Sequence, residues 1–111
     1  MRAMVCLVSR QTMQNVLPIL MYVPSNVYLL TTTEEKESGE RIQRLCKQKK
    51  IEAELVEGID AYDTGTVRSA IERIKSSMTQ AELAINITGG TKLMSIAAYE
   101  VAKQYGIPAF Y

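Results

Sequence analysis

The sequence predicts an α/β fold in which a parallel sheet of five strands, ordered 3-2-1-4-5, is covered by helices on both faces. Three observations carry that expectation. Five short apolar or alternating runs of strand length take turns with four segments of helical spacing. The run Leu83-Ala84-Ile85-Asn86-Ile87 leads directly into Thr88-Gly89-Gly90-Thr91-Lys92, and a helical pattern opens at Leu93. That order is strand, tight turn, helix N-terminus. The chain of 111 residues, 47% hydrophobic and 23% charged, has the size and composition of one globular domain with its own core.

In chain order, Ala3 to Val8 is an apolar run suited to a strand buried on both faces. The polar turn Ser9-Arg10-Gln11-Thr12 ends it without a glycine. Met13 to Met21 resumes at helical spacing with Val16, Leu17 and Leu20 on one side, and Pro18 is expected to shorten or kink that helix. After Pro24-Ser25-Asn26, Val27 to Leu30 forms the second strand. Thr32-Thr33-Glu34-Glu35 fits a capping box, with Thr32 as N-cap and Glu35 reaching back to it. The helix it opens is polar, contains Gly39, buries Ile42, Leu45 and Cys46, and reads as peripheral. Lys47-Gln48-Lys49-Lys50 has no interleaved aromatics and reads as a solvated helix end rather than a nucleic-acid patch. Ile51 to Val56 alternates as the third strand. Asp63 caps a helix in which Val67, Ala70, Ile71, Ile74 and Met78 keep an amphipathic spacing. In the last helix Met94, Ala98, Val101 and Tyr105 share one face, Gly106 stops it, and Ile107 to Tyr111 is the fifth strand.

In that strand order the first and fourth strands are neighbours whose connections leave in opposite directions. Ligands bind at such a point, outside the carboxyl ends of the strands. Ser9-Arg10-Gln11-Thr12 and Thr88-Gly89-Gly90-Thr91-Lys92 meet there. Two glycines let a ligand approach the main chain, and a helix N-terminus offers it unpaired N–H groups. Lys92 adds a cation where the helix dipole disfavours one unless an anion offsets it. The net charge of +1 gives no global attraction for nucleic acid, so anion binding rests on local geometry.

Other chemistries lack their residues. The chain has no histidine, which removes His-based catalysis and the usual catalytic zinc. Cys6 and Cys46 have no metal-type spacing and read as reduced, packed thiols of a cytosolic protein. No apolar run reaches transmembrane length. The first turn lacks the glycines of a dinucleotide site, and Gly-Gly-Thr-Lys is not a phosphate-binding P-loop. A phosphorelay receiver would carry acidic residues where Ser9 and Arg10 stand. What remains is anion recognition by hydroxyls, amides, backbone N–H groups and one or two cations, against the alternative of a plain tight connection. Asn86, polar within an apolar strand, needs a hydrogen-bond partner and reads as structural.

The stretch Asn86-Ile87-Thr88-Gly89-Gly90-Thr91-Lys92-Leu93-Met94, followed by Ala97-Ala98-Tyr99-Glu100-Val101-Ala102, resembles the signature helix of CARF domains, the CRISPR-associated Rossmann-fold sensors. Met4-Val5-Cys6-Leu7-Val8-Ser9, Asn15-Val16-Leu17-Pro18 and Gly106-Ile107-Pro108-Ala109-Phe110-Tyr111 fit the same family, so the whole chain resembles the sensor half of CARF nucleases activated by cyclic oligoadenylates. The resemblance implies a Rossmann-like, cytoplasmic domain over residues 1–111, with no effector domain attached. It implies a homodimer holding cyclic tetra-adenylate, or cyclic hexa-adenylate, on its two-fold axis, and a possible separate effector. It implies no cofactor, no metal, no membrane and no DNA binding by this domain alone. Carried over residue by residue, the ligand contacts fall on Ser9, Arg10, Gln11 and Thr12, and on Thr88, Gly89, Gly90, Thr91 and Lys92. The glycine and threonine amides with Lys92 suit phosphate, and Ser9 and Gln11 suit adenosine or ribose. The role implied is a sensor in type III CRISPR antiviral signalling. The same resemblance allows a metal-independent ring nuclease that uses the ligand's own 2′-OH, with Lys92, Ser9 and Thr91 stabilising and orienting. An ordinary nucleotide-binding Rossmann domain is the more distant alternative.

Overall fold

All strands of the sheet run parallel, in the order β3-β2-β1-β4-β5 that the sequence predicts. The computed structural model describes residues 2–78 and 82–111. The strands are β1 (Arg2–Leu7), β2 (Asn26–Leu30), β3 (Glu52–Val56), β4 (Glu82–Asn86) and β5 (Ala109–Phe110). The helices are α1 (Met13–Tyr22), α2 (Lys36–Gln48), α3 (Thr64–Ser77) and α4 (Lys92–Tyr105). A single 3-10 turn, Thr33–Glu35, precedes α2.

The period-2 alternation of β1 divides the core in two. Met4, Cys6 and Val8 face Val16 and Ile19 of α1 and Ile42 and Cys46 of α2. Val5 and Leu7 face the other way, with Ile85 of β4, onto Val67 and Ile71 of α3 and Met94, Ala98 and Val101 of α4. Each such side chain contributes about 1.5–3 kcal/mol on burial, which makes the central strand the main hydrophobic anchor of both layers. Asp63 caps α3 through its Oδ1, which accepts from the Gly65 N–H at 3.0 Å. Gly106 ends α4 with φ +67, a left-handed conformation that glycine adopts without a Cβ penalty.

Several expectations are corrected. The capping box does not form: α2 begins at Lys36, Thr32 makes no side-chain cap, and the Glu35 carboxylate turns instead to Ser38 and Arg10. Nor is α2 peripheral. Gly39 is buried, and a Cβ there would lie 2.9 Å from Leu55 Cδ2 and 3.1 Å from Thr31 Oγ1, so the helix backbone rests on β2 and β3. On α1 the buried face is Asn15, Val16 and Ile19, while Leu17 and Leu20 are exposed. Tyr105 is likewise exposed, donating its hydroxyl to Glu72 of α3 at 2.6 Å. Pro18 neither breaks nor shortens α1, which runs for ten residues. The fifth strand shrinks to two residues, and Met78 lies just past the end of α3. Among the described residues no helix is long and apolar enough to cross a membrane.

Cys6 and Cys46 are free and buried in the same layer. Burial pushes both thiols above their ordinary value of 9.0, and Cys46 nearby raises Cys6 further. Thiol reagents at about pH 8 should therefore label the native protein only as fast as it unfolds globally. Both folded-state values are raised, so this contribution to stability is complete below 9.0 and is lost as pH rises above it. Urea midpoints measured at about pH 7 and about pH 10 should fall at the higher pH; unchanged midpoints, or fast labelling of the native state, would contradict the burial.

Candidate ligand crevice at the carboxyl edge of the sheet

The carboxyl ends of β1 and β4 meet at a buried pair of asparagines. Asn86 closes β4 opposite Cys6 of β1. Its Nδ2 donates to the Gln14 carbonyl at 2.9 Å and to Asn15 Oδ1 at 3.2 Å, and its Oδ1 accepts from the Thr88 N–H at 3.0 Å. Asn15 Nδ2 in turn donates to the Leu7 carbonyl at 2.9 Å. Pro18 explains why the Gln14 carbonyl is available. A proline has no N–H for the carbonyl four residues earlier, which in α1 is that of Gln14. The break in the helical ladder becomes a bond between α1 and β4.

The two glycines of the following turn are required for different reasons. At Gly89 a Cβ would collide with the Leu7 carbonyl oxygen, the atom that Asn15 already holds. Gly90 has φ +76, with Leu7 Cβ and Met94 Cε each 3.1 Å from where its own Cβ would stand. Ser95 braces the turn from α4, its hydroxyl 2.8 Å from the Ile87 carbonyl and 3.2 Å from that of Gly89. Thr91 is the N-cap of α4: its Oγ1 accepts from the Met94 N–H at 3.2 Å and donates to the Ala61 carbonyl at 3.1 Å. Its proton is thereby directed at the β3–α3 loop. Lys92 is exposed at the first residue of α4 and makes no ion pair among the described residues.

On the β1 side, Ser9 Oγ is 3.0 Å from Gln14 Oε1 and 3.4 Å from the Gln11 carbonyl. Gln14 Nε2 donates to Gln11 Oε1 at 2.9 Å, tying the turn to α1. The Thr12 carbonyl accepts from the Asn15 and Val16 N–H groups as α1 starts. Arg10 crosses toward the β2–α2 connection, where its Nε lies 3.9 Å from Glu35 Oε2.

A cavity of about 330 Å³ opens between these loops. Ser9 and Arg10 line it from the β1 side, and Gly90 and Thr91 from the β4 side. Gln11, Thr12, Thr88, Gly89 and Lys92 belong to the same turns without lining this cavity. Its remaining wall is Val8 and Met94 with Thr32, Glu34 and Glu35 after β2 and Ala61 and Tyr62 after β3, the last five not marked by the sequence as site residues. The available signal was topological, because every strand of a parallel sheet delivers its following loop to the same edge. Among the described residues no cluster of His, Cys, Asp and Glu could hold a metal ion.

Asn86→Ala should lower the unfolding free energy by about 1–3 kcal/mol, since it strands the Gln14 carbonyl, the Thr88 N–H and Asn15. Gly89→Ala should cost about 1–3 kcal/mol through forced displacement of Leu7. Urea unfolding checks both, and a neutral result for either would refute the packing described.

The Card1 CARF domain family profile matches residues 3–111. Can2 from Sulfobacillus thermosulfidooxidans, solved in complex with cyclic tetra-adenylate, superposes with a TM-score of 0.84 at 27% identity, over 100% of this chain and 32% of its own. Protein VC1899 from Vibrio cholerae gives 0.83 at 19% identity, over 98% of this chain and 30% of its own. Enterococcus italicus Csm6, bound to cyclic hexa-2′-fluoro-hexa-dAMP, gives 0.71 at 16% identity, over 98% and 32%. The last two share the fold. The chain spans about a third of the length of each of these proteins. No curated protein matches it. With the profile covering the sheet, all four helices and both turns of the crevice, the chain belongs to the Card1 CARF domain family.

Proposed function

We propose that this domain binds a cyclic oligoadenylate, cyclic tetra-adenylate in the first instance, across a homodimer, and serves as a sensor in type III CRISPR antiviral signalling. The observation that carries the reading is the pairing of a glycine turn at the N-terminus of α4 with the Ser9-Arg10 turn at the β1–β4 junction. It occurs in a chain 27% identical to Can2, which was solved with that ring. Residues 1–111 are then one ligand-binding domain. The Gly89, Gly90 and Thr91 amides and Lys92 take phosphate, Ser9 and Gln11 take adenosine or ribose, and Arg10, Thr12 and Thr88 complete the two turns.

Size favours a shared ligand. A cavity of about 330 Å³ is near the lower end of small-molecule pockets, enough for one nucleotide and too small for a ring of four. Exposed apolar side chains support a second copy as the sharer. Met13 and Leu17 on α1, and Leu93 and Ile96 on α4, start at the helix N-termini that flank the crevice. Two-fold pairing through them covers the apolar surface and sets two crevices side by side.

Calorimetry should give one ring of cyclic tetra-adenylate per dimer and little heat with ATP. One ring per monomer, with no dimer in sedimentation, would sink the reading. Lys92→Ala should weaken binding by about 1.5–3 kcal/mol per site, the worth of a charge-assisted hydrogen bond. The free protein should be unchanged or stabilised by about 0.3–1 kcal/mol, because a cation leaves the positive end of a helix. A variant that binds normally contradicts the assignment. Ring cleavage should be slow or absent. The chain has no histidine, and the Thr91 proton faces the Ala61 carbonyl, so positioning is the main catalytic resource left. Labelled ring incubated with excess dimer in EDTA checks this. Several turnovers per minute, abolished by Ser9→Ala, would favour the ring nuclease.

A further inference from the structure

The wall of the cavity that faces the phosphate-binding turns has its own chemistry. Thr32 is only 5% exposed and lines the cavity. It makes no cap to the 3-10 turn, and its hydroxyl has no partner among the described residues. Every fully enclosed side-chain polar atom among the described residues has a partner, so the Thr32 hydroxyl, on a residue that lines the cavity, keeps some accessible surface. A hydroxyl with no protein partner, on a side chain this buried in a cavity wall, points to a ligand group.

Glu35 stands beside it. Its side chain is 22% exposed, with Ser38 Oγ donating to Oε1 at 3.3 Å and Arg10 Nε 3.9 Å from Oε2. These two contacts hold the carboxylate in place, and it keeps acceptor capacity for a further donor. Tyr62, 85% exposed, stands at the cavity wall on the β3–α3 loop, where its backbone N–H is pinned to Asp60 Oδ1 at 2.8 Å. The lining thus carries two carboxylates, Glu34 and Glu35, against one cation, Arg10. That balance disfavours a phosphate. It suits an uncharged planar group that donates hydrogen bonds.

We infer that this cavity is a nucleobase subsite that selects adenine through its 6-amino group, with Glu35 and Thr32 as acceptors and Tyr62 stacking on the ring. The inference rests on the cyclic oligoadenylate reading and divides the ligand between two regions: phosphate at the α4 N-terminus, base in the acceptor-lined cavity. A hypoxanthine base presents a carbonyl at the same position and would face the Glu35 carboxylate acceptor to acceptor. A site built around a donor rejects the analogue that lacks it far more strongly than an apolar pocket rejects a missing methylene.

The test is calorimetry of the unaltered protein with cyclic tetra-adenylate, cyclic tetra-inosinate and the 2′-fluoro form of the adenylate ring. The inosinate ring should bind at least ~100-fold more weakly, and the 2′-fluoro ring within about 3-fold of the parent. Glu35→Gln, whose amide can donate to the hypoxanthine carbonyl, should shrink the preference below ~10-fold. Tyr62→Ala should weaken both purine rings alike, by about 10-fold. Equal affinity for the adenylate and inosinate rings overturns base selection and leaves the sensor reading standing. Loss of the 2′-fluoro ring alone also overturns it, by assigning the acceptors to ribose. Failure of the unaltered protein to bind cyclic tetra-adenylate at all removes the sensor reading, and the subsite with it.

Discussion

The geometry of this domain depends on the side chain of one buried residue, Asn86. A primary amide has two donors and one carbonyl, and here all are used: Gln14, Asn15 and Thr88 each take one bond. Two segments far apart in sequence, the start of α1 and the end of β4 with the glycine turn that follows it, are joined in one place. Asn15 extends the connection to the end of β1. A carbonyl left without its helical donor and an asparagine in an apolar strand would each be costly alone. Together they satisfy one another, and the low dielectric that penalises either one unpaired strengthens the pair. Burial of polar groups at a sheet edge is in this way converted into positional precision.

The consequence reaches the crevice through Gly89. The turn passes so close to the Leu7 carbonyl that no side chain fits between them, and that carbonyl is the one Asn15 holds. Gly90 then takes a left-handed conformation, and Thr91 caps α4 while reaching the β3–α3 loop. The first N–H groups of α4 are therefore presented by a backbone fixed at both ends. Such preorganisation lowers the ordering cost that binding must meet. The order runs from amide pair to turn to helix N-terminus.

Electrostatics separates the two halves of the crevice. The chain as a whole carries a net charge of only +1, so its positive character at this edge is local, at the α4 N-terminus and Lys92. A few residues away the cavity is lined by carboxylates, one of them braced by Arg10 and Ser38. The Arg10–Glu35 contact is long, and such pairs add little to stability. Its effect is to join the loops after β1 and β2 and to moderate negative charge beside the glycine turn.

The order of the strands, the meeting of the Ser9-Arg10 and Gly90-Thr91 turns at one cavity, and the caps at Asp63 and Gly106 were legible in the sequence. They rest on local chemistry: apolar period, glycine conformational freedom, and polar caps that bond within a few residues. The same local reasoning overreached at Thr32 and Glu35, where a capping box is spelled but not formed. Ser38 and Arg10 offer Glu35 partners that lie outside the motif. It also missed the purpose of Pro18, since the partner of the freed Gln14 carbonyl lies 72 residues away in sequence. It could not find Thr32, Glu35 and Tyr62 as one wall of a cavity, because three loops become neighbours only when the parallel sheet brings strand ends to one edge. Sequence by itself determined what each segment is, because backbone preference and side-chain period act over a few residues. Tertiary structure alone decided which polar groups face one another, because a hydrogen bond is set by positions in space and not by separation along the chain.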